Sequence, residues 1–290
     1  MIDAEVTGWW RRLGLPGLVD IHVHFMPVPL LNAVWRYFDA APQHYGTDWP
    51  VRYRTSEAQR VATLDELGVR AYPALLYPHK PAMAEGLNSW ARQFAAHTPG
   101  CVPTGTFYPE PEAVRYVRAA LEEGTRVFKV HVQVGEFDPR DELLQPVWGM
   151  LAEAAVPVVV HCGSGPLAGR YTGPGPFGGV LAAHPQLTAV IAHCGAPEYA
   201  EHLAFARRYP NVHLDTTMVG TPYLEQFAPL PRDVIAELGQ LQDRVVLGTD
   251  FPNIPYAYAD QLAALEEFGH GTQWLRAVCW HNGRRLLGAP

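Results

Sequence analysis

Short apolar runs rich in β-branched residues recur along the chain, separated by stretches whose apolar positions repeat at helical spacing. The runs at 18–25, 69–77, 101–107, 126–132, 156–161, 187–193, 212–215 and 244–249 predict eight strands. Ser56 opens a helix whose apolar face is Ala58, Val61, Leu64 and Leu67, and Gly68 stops it. Pro111 and Gly124 bracket another. Further helices are predicted near 84–96, 141–155, 179–184, 197–209, 232–239, 259–268 and 272–287. Residues 1–17 read as a short amphipathic helix and a lead-in, with Pro16-Gly17 turning the chain into the first strand.

Such strand–helix alternation predicts an α/β fold, the (β/α)8 TIM barrel, with residues 1–290 as a single domain. A doubly wound open sheet would want a glycine-rich phosphate turn after the first strand, and Phe25-Met26-Pro27-Val28-Pro29 is not one. The insertion at 26–55 carries Trp35, Tyr37, Phe38, Tyr45, Trp49 and Tyr53, and is expected to form a packed cap or substrate lid.

Composition removes several classes of function. Hydrophobic residues make up 48% of the chain and charged ones 18%, which supports a large core and argues against disorder. The formal charge of −7 is spread without like-sign runs, so no nucleic-acid partner is expected. No apolar stretch reaches the roughly 18 residues of a membrane span, and residues 1–15 lack the apolar centre of a secretion signal. Cys101, Cys162, Cys194 and Cys279 show no C-x-x-C spacing, which fits a cytoplasmic protein. A small-molecule substrate is the partner left, with homo-oligomerisation open.

In a barrel, catalytic groups sit at the C-terminal ends of the strands. His22 and His24 end the first strand, two apart and so on one face. Lys129 and His131 lie on the fourth, His161 ends the fifth, His193 the sixth, and Asp250 follows the eighth. Each alone is as readily structural as functional. Brought together at one mouth, they predict a shared metal site. Cys162 and Cys194 directly follow two of these histidines, and strand alternation turns them toward the barrel–helix core. Asp20, two before His22, is expected to share its face and to orient a ligand, or else to be a strand-end polar group. The loop from Gly163 to Pro176 is on the catalytic side, and its Arg170 and Tyr171 can meet a substrate carboxylate.

The set resembles the amidohydrolase superfamily in Val19-Asp20-Ile21-His22-Val23-His24, Val158-Val159-Val160-His161, Val190-Ile191-Ala192-His193-Cys194-Gly195 and Leu247-Gly248-Thr249-Asp250-Phe251-Pro252. It is most similar to the amidohydrolase-related (amidohydrolase 2) branch, which includes aminocarboxymuconate-semialdehyde decarboxylase. Phe128-Lys129-Val130-His131 and Asn211-Val212-His213-Leu214-Asp215 are also in that style. The resemblance implies that His22, His24, His161 and Asp250 bind one divalent metal, zinc, with His193 and Asp250 catalytic. In binuclear relatives the lysine matching Lys129 is carboxylated and bridges two metals, with His193 as a ligand. A mononuclear site is the expectation here, which leaves Lys129, His131 and Arg170 for substrate or, in the alternative, for a second metal. The activity expected is hydrolysis, by a zinc-activated water, of a C–N or ester/lactone bond in a small organic molecule. The alternative is metal-dependent, non-oxidative decarboxylation of a small unsaturated or aromatic acid.

Overall fold

The structure, a computed structural model, describes residues 1–289. Its strands are β1 (Leu18–Val19), β2 (Val69–Pro73), β3 (Cys101–Val102), β4 (Thr104–Thr106), β5 (Val127–His131), β6 (Val158–His161), β7 (Ala189–Ile191), β8 (Val212–Asp215) and β9 (Val245–Val246). All pair in parallel, in the orders β1-β2-β3 and β4-β5-β6-β7-β8-β9. β3 and β4 are one barrel strand cut at Pro103, which has no N–H for the ladder. Eight barrel strands result. The ring closes where the Ile21 amide donates to Leu247 O (2.9 Å) and Val23 bridges Phe251. The fold is a (β/α)8 barrel.

Side-chain alternation explains the two cores. Val127, Val159, Val190 and Val246 point inward and form one buried cluster with Val19 and Ile21. Their neighbours Phe128, Val130, Val158, Val160 and Ile191 pack outward with Trp148, Phe177 and Tyr258 under the helices. The Ser56 cap forms as the sequence predicts: its hydroxyl accepts from the Gln59 amide (3.3 Å) ahead of the helix Glu57–Leu67, and Gly68 closes that helix at φ 82°. The helix expected at 272–287 runs through, with a π turn at Ala277–His281.

Several strands end earlier than their apolar runs, and two of these ends shape the site. The first leaves the ladder after Val19, because the His22 amide donates to Asp20 Oδ1 (3.0 Å) and the chain bends at Ile21. Strict alternation from Val19 and Ile21 would have turned His22 outward, so the bend re-aims it. The sixth ends at Ile191, and Ala192–Gly195 form a tight turn. Cys194 is therefore turned into the core by that turn and not by strand alternation, although it is buried as expected.

Residues 26–55 contain the helices Val28–Asp39 and Ala41–Tyr45 and bind the loop after β9. Trp35 Nε1 donates to Asn253 Oδ1 (3.1 Å), Trp49 Nε1 to Asn253 O (2.6 Å), and the Arg52 amide to Ile254 O (2.9 Å). The buried Arg60 guanidinium lies over the rings of Trp35 and Phe25. No helix among the described residues is long and apolar enough to cross a membrane.

One buried histidine outside the cavity is expected to contribute acid sensitivity to the barrel. His213 points into its lower end, where burial, with Arg244 and Arg285 nearby, pushes its pKa down to about 4. As pH falls below 6.5 the unfolded chain takes up this proton before the native one does, so stability is lost between about pH 6.5 and 4. The shift corresponds to about 3 kcal/mol. His213→Leu should flatten the stability–pH curve in that window, measured by urea unfolding. An unchanged slope would assign the acid sensitivity elsewhere.

Candidate metal centre

The candidate residues line one cavity of about 870 Å³ at the C-terminal end of the barrel. His22, His24 and Asp250 each offer a ligand atom, all within 4.8 Å of one another. Asp250 Oδ1 lies 3.1 Å from His22 Nε2 and 2.9 Å from His24 Nε2. The opposite ring nitrogens fix the tautomers. His22 Nδ1 faces Asp215 Oδ2 (2.8 Å) and His24 Nδ1 faces Leu75 O (2.9 Å). Both partners only accept, so Nδ1 carries the proton and each Nε2 presents its lone pair. Two ring nitrogens and a carboxylate oxygen then converge on one point, which a proton or a metal cation can bridge. The donor set of two imidazoles and a carboxylate fits a divalent transition-metal ion.

His193 and Asp250 both have left-handed backbone, at φ 55° and 69°. Such conformations are costly for these residues and persist only where surroundings impose them. For His193 the constraint is visible: its amide donates to Asp215 Oδ1 (2.8 Å) and its Nδ1 to Thr217 O (3.2 Å). Its Nε2 is left facing Asp250 Oδ2 at 3.8 Å. Gly248 lets the strands approach here, since a Cβ on it would lie 2.3 Å from Thr217 Oγ1 and 2.8 Å from His22 Cβ.

Charge is tightly coupled in this space. Burial disfavours the charge on Asp250, but His22, His193 and His24 hold its carboxyl well below the usual carboxylate range. Burial, with His22 and Lys129 adding to it, pushes His193 down to about 4 against the pull of Asp250 and Asp215. Lys129 is wholly buried, its Nζ 3.3 Å from His22 Nε2, and burial lowers its pKa to about 8 although Asp215 and Asp250 oppose this.

The remaining predicted residues are near but differently engaged. His161 stands outside the three-residue group: its Nε2 contacts Gly165 O (3.2 Å), and its ring stacks on His131 with centroids 3.9 Å apart. His131 Nδ1 accepts from the Val134 amide (3.3 Å), so its Nε2 carries the proton. Arg170 is exposed at the cavity mouth, its guanidinium over the Tyr171 ring. Asp20 does not share the cavity face of His22. The bend at Ile21 leaves it against the helix Tyr258–Glu267, where Oδ2 accepts from Thr249 (2.6 Å) and Tyr258 (3.0 Å).

A family model described as amidohydrolase matches residues 19–289. The chain belongs to the amidohydrolase family. Within it the likeness is to the amidohydrolase 2 branch. A comparison with curated proteins gives no significant match. Among solved structures, an uncharacterized TIM-barrel protein from Bordetella bronchiseptica is 21% identical, with TM-score 0.73, over 94% of this chain and 99% of its own. The 5-carboxyvanillate decarboxylase of Novosphingobium aromaticivorans, solved with manganese and 4-hydroxy-3-methoxy-5-nitrobenzoic acid, is 17% identical (TM-score 0.64; 95% and 97% covered). Dihydroorotase from Campylobacter jejuni is 14% identical (TM-score 0.56; 94% and 83%). At these identities the likeness is one of fold.

The amidohydrolase site has a residue whose role the sequence reading missed. Asp215, at the end of β8, is wholly buried and accepts from His22 Nδ1, the His193 amide and the Thr217 amide (3.1 Å). Burial opposes its charge, yet His22, His193 and Lys129 keep its carboxyl far below the usual range. A carboxylate at a barrel strand's C-terminal end was the available signal. Asp215→Asn sets an amide N–H against His22 Nδ1–H and drives the proton to Nε2, which removes the lone pair. The expected result is metal affinity about 10- to 100-fold weaker, measured by chelator competition. Unchanged affinity would show that Asp215 does not set the His22 tautomer.

Proposed function

We propose that this amidohydrolase is a zinc-dependent hydrolase of a C–N or ester/lactone bond in a small organic molecule. The observation that carries the reading is the convergence of the His22 and His24 lone pairs on Asp250 Oδ1, with Asp250 Oδ2 left free beside His193. A divalent cation held by His22, His24 and Asp250, with His161 as the proposed fourth donor, supplies Lewis acidity and brings the pKa of water toward ~7. The fourth role requires the His161 ring to leave the Gly165 carbonyl. Asp250 Oδ2 accepts the proton of the attacking water and returns it to the leaving group, while His193, held through Nδ1–H by Thr217 O, shares that proton at Nε2. Lys129, the His131 Nε2–H and Arg170 are the donors proposed for the substrate's polar atoms.

A second reading is decarboxylation, favoured by the cationic and N–H donors Lys129 and His131 on the cavity floor and by the decarboxylase that shares this fold over 95% of the chain. Both readings predict about one zinc ion per chain by elemental analysis, and loss of activity on chelation with recovery on adding zinc. No metal and no chelator effect would sink both; a ratio near two would make Lys129 a bridge. Carbon dioxide release in place of acid plus alcohol or amine would select the decarboxylase.

A further inference from the structure

The chemistry of the cavity changes sharply from floor to mouth. His22, His24, His131, His161 and His193 are gathered on the floor with Lys129 and Asp250. Above them, residues 26–55 and the segment after β8 supply a continuous wall of rings: Tyr37, Phe38, Tyr45, Trp49, Tyr223 and Phe227. Phe38 stacks on Trp49 (centroids 4.8 Å), Trp49 meets Tyr223 edge-on (5.1 Å), and Tyr223 leans on Phe227 (5.5 Å). The polar handles of two rings are spent on the protein itself. Trp49 Nε1 is held by Asn253 O, and the Tyr223 hydroxyl donates to Asp48 O (2.8 Å). What these rings offer the cavity is π-face and C–H edge.

Among the described residues, the charged side chains lining the cavity away from the floor are Glu136 and Arg170, both exposed and of opposite sign, with the exposed imidazole of His79 beside them in the lining. Three exposed large apolar side chains, Tyr37, Val134 and Leu167, belong to the same lining. A volume of about 870 Å³ lies near the upper end of the range for sites that enclose drug-sized ligands. A compact polar metabolite would fill the floor and leave the rings in water, and such an apolar surface is ordinarily kept for a partner.

We propose that the substrate is amphipathic: a compact polar reacting group for the floor, joined to a flat, uncharged body larger than one aromatic ring that lies along this wall. The proposal rests on the catalytic reading for which end of the substrate reacts, and on the wall alone for the body. Recognition is by burial of ring faces, which is tolerant of substituents and intolerant of charge on the body.

The test is calorimetric binding to the zinc-loaded protein with three carboxylates of increasing flat area: acetate, benzoate and 2-naphthoate. The expected result is 2-naphthoate binding at least tenfold tighter than benzoate, and acetate weakest. Phe227→Leu and Phe38→Leu keep apolar volume but lose the ring face. Each should weaken 2-naphthoate about tenfold and leave acetate unchanged, with circular dichroism verifying the fold. Phe227→Tyr, which keeps the face, should retain most of the affinity. A flat series, or variants that shift all three ligands alike, would overturn the proposal. Turnover of 2-naphthyl acetate is followed in parallel. A steep binding series without turnover would reject the aryl-ester form of the hydrolase reading and leave the wall's assignment standing.

Discussion

Asp250→Asn is expected to lower kcat/KM by about 10³-fold or more, since it removes a positioned proton acceptor and a metal-binding charge together. Asp250 Oδ1 faces His22 and His24, while Oδ2 faces His193, so the two oxygens serve different neighbours. An amide keeps one weak oxygen donor but no negative charge to hold the cluster. Bound zinc should fall less than activity, because the imidazoles remain. Zinc content by elemental analysis and steady-state rates on the same preparation give the comparison. Activity falling only in step with metal would reduce Asp250 to a ligand.

His193→Asn should cut kcat about 10²-fold or more while zinc content stays near that of the parent. The histidine is 3.8 Å from Asp250 Oδ2 and outside the three-residue ligand group. Asparagine tolerates left-handed backbone better than most residues, so the turn at φ 55° should survive the change. Loss of a stoichiometric share of metal would instead make His193 a ligand and the centre binuclear, with Lys129 as its bridge. If both variants kept full activity, the catalytic centre would lie elsewhere.

The barrel was legible because inward and outward positions alternate along β5, β6 and β7, and because Gly68 and Gly124 punctuate the helices with left-handed turns. Convergence of His22, His24, His193 and Asp250 followed from that fold, since strand ends meet at one mouth. The bend at Ile21 was not legible, because it depends on Asp20 capturing the His22 amide from the ladder. Asp20 therefore faces Tyr258, and its carboxyl, pushed up to about 7 by burial, braces the strand from outside the cavity. The role of Asp215, noted only as part of the Asn211–Asp215 resemblance, went unread for a related reason: a lone aspartate at a strand end looks like a turn former, and its three partners come from separate elements. His161 is where ligand pattern and geometry differ most. Neither its hydrogen bond to Gly165 nor its stacking on His131 has a spacing signature.

Asn253 makes the ring wall and the metal centre parts of one transplantable unit. Its amide donates to Asp250 O (2.9 Å), while its side chain and carbonyl hold Trp35 and Trp49. Grafting residues 26–55 onto another barrel would carry the rings but leave both indole N–H groups without acceptors, unless residues 251–254 travelled with them. Chimeras built at the obvious boundaries of the insertion should therefore misplace the aromatic surface, whereas those that exchange both segments together should keep it.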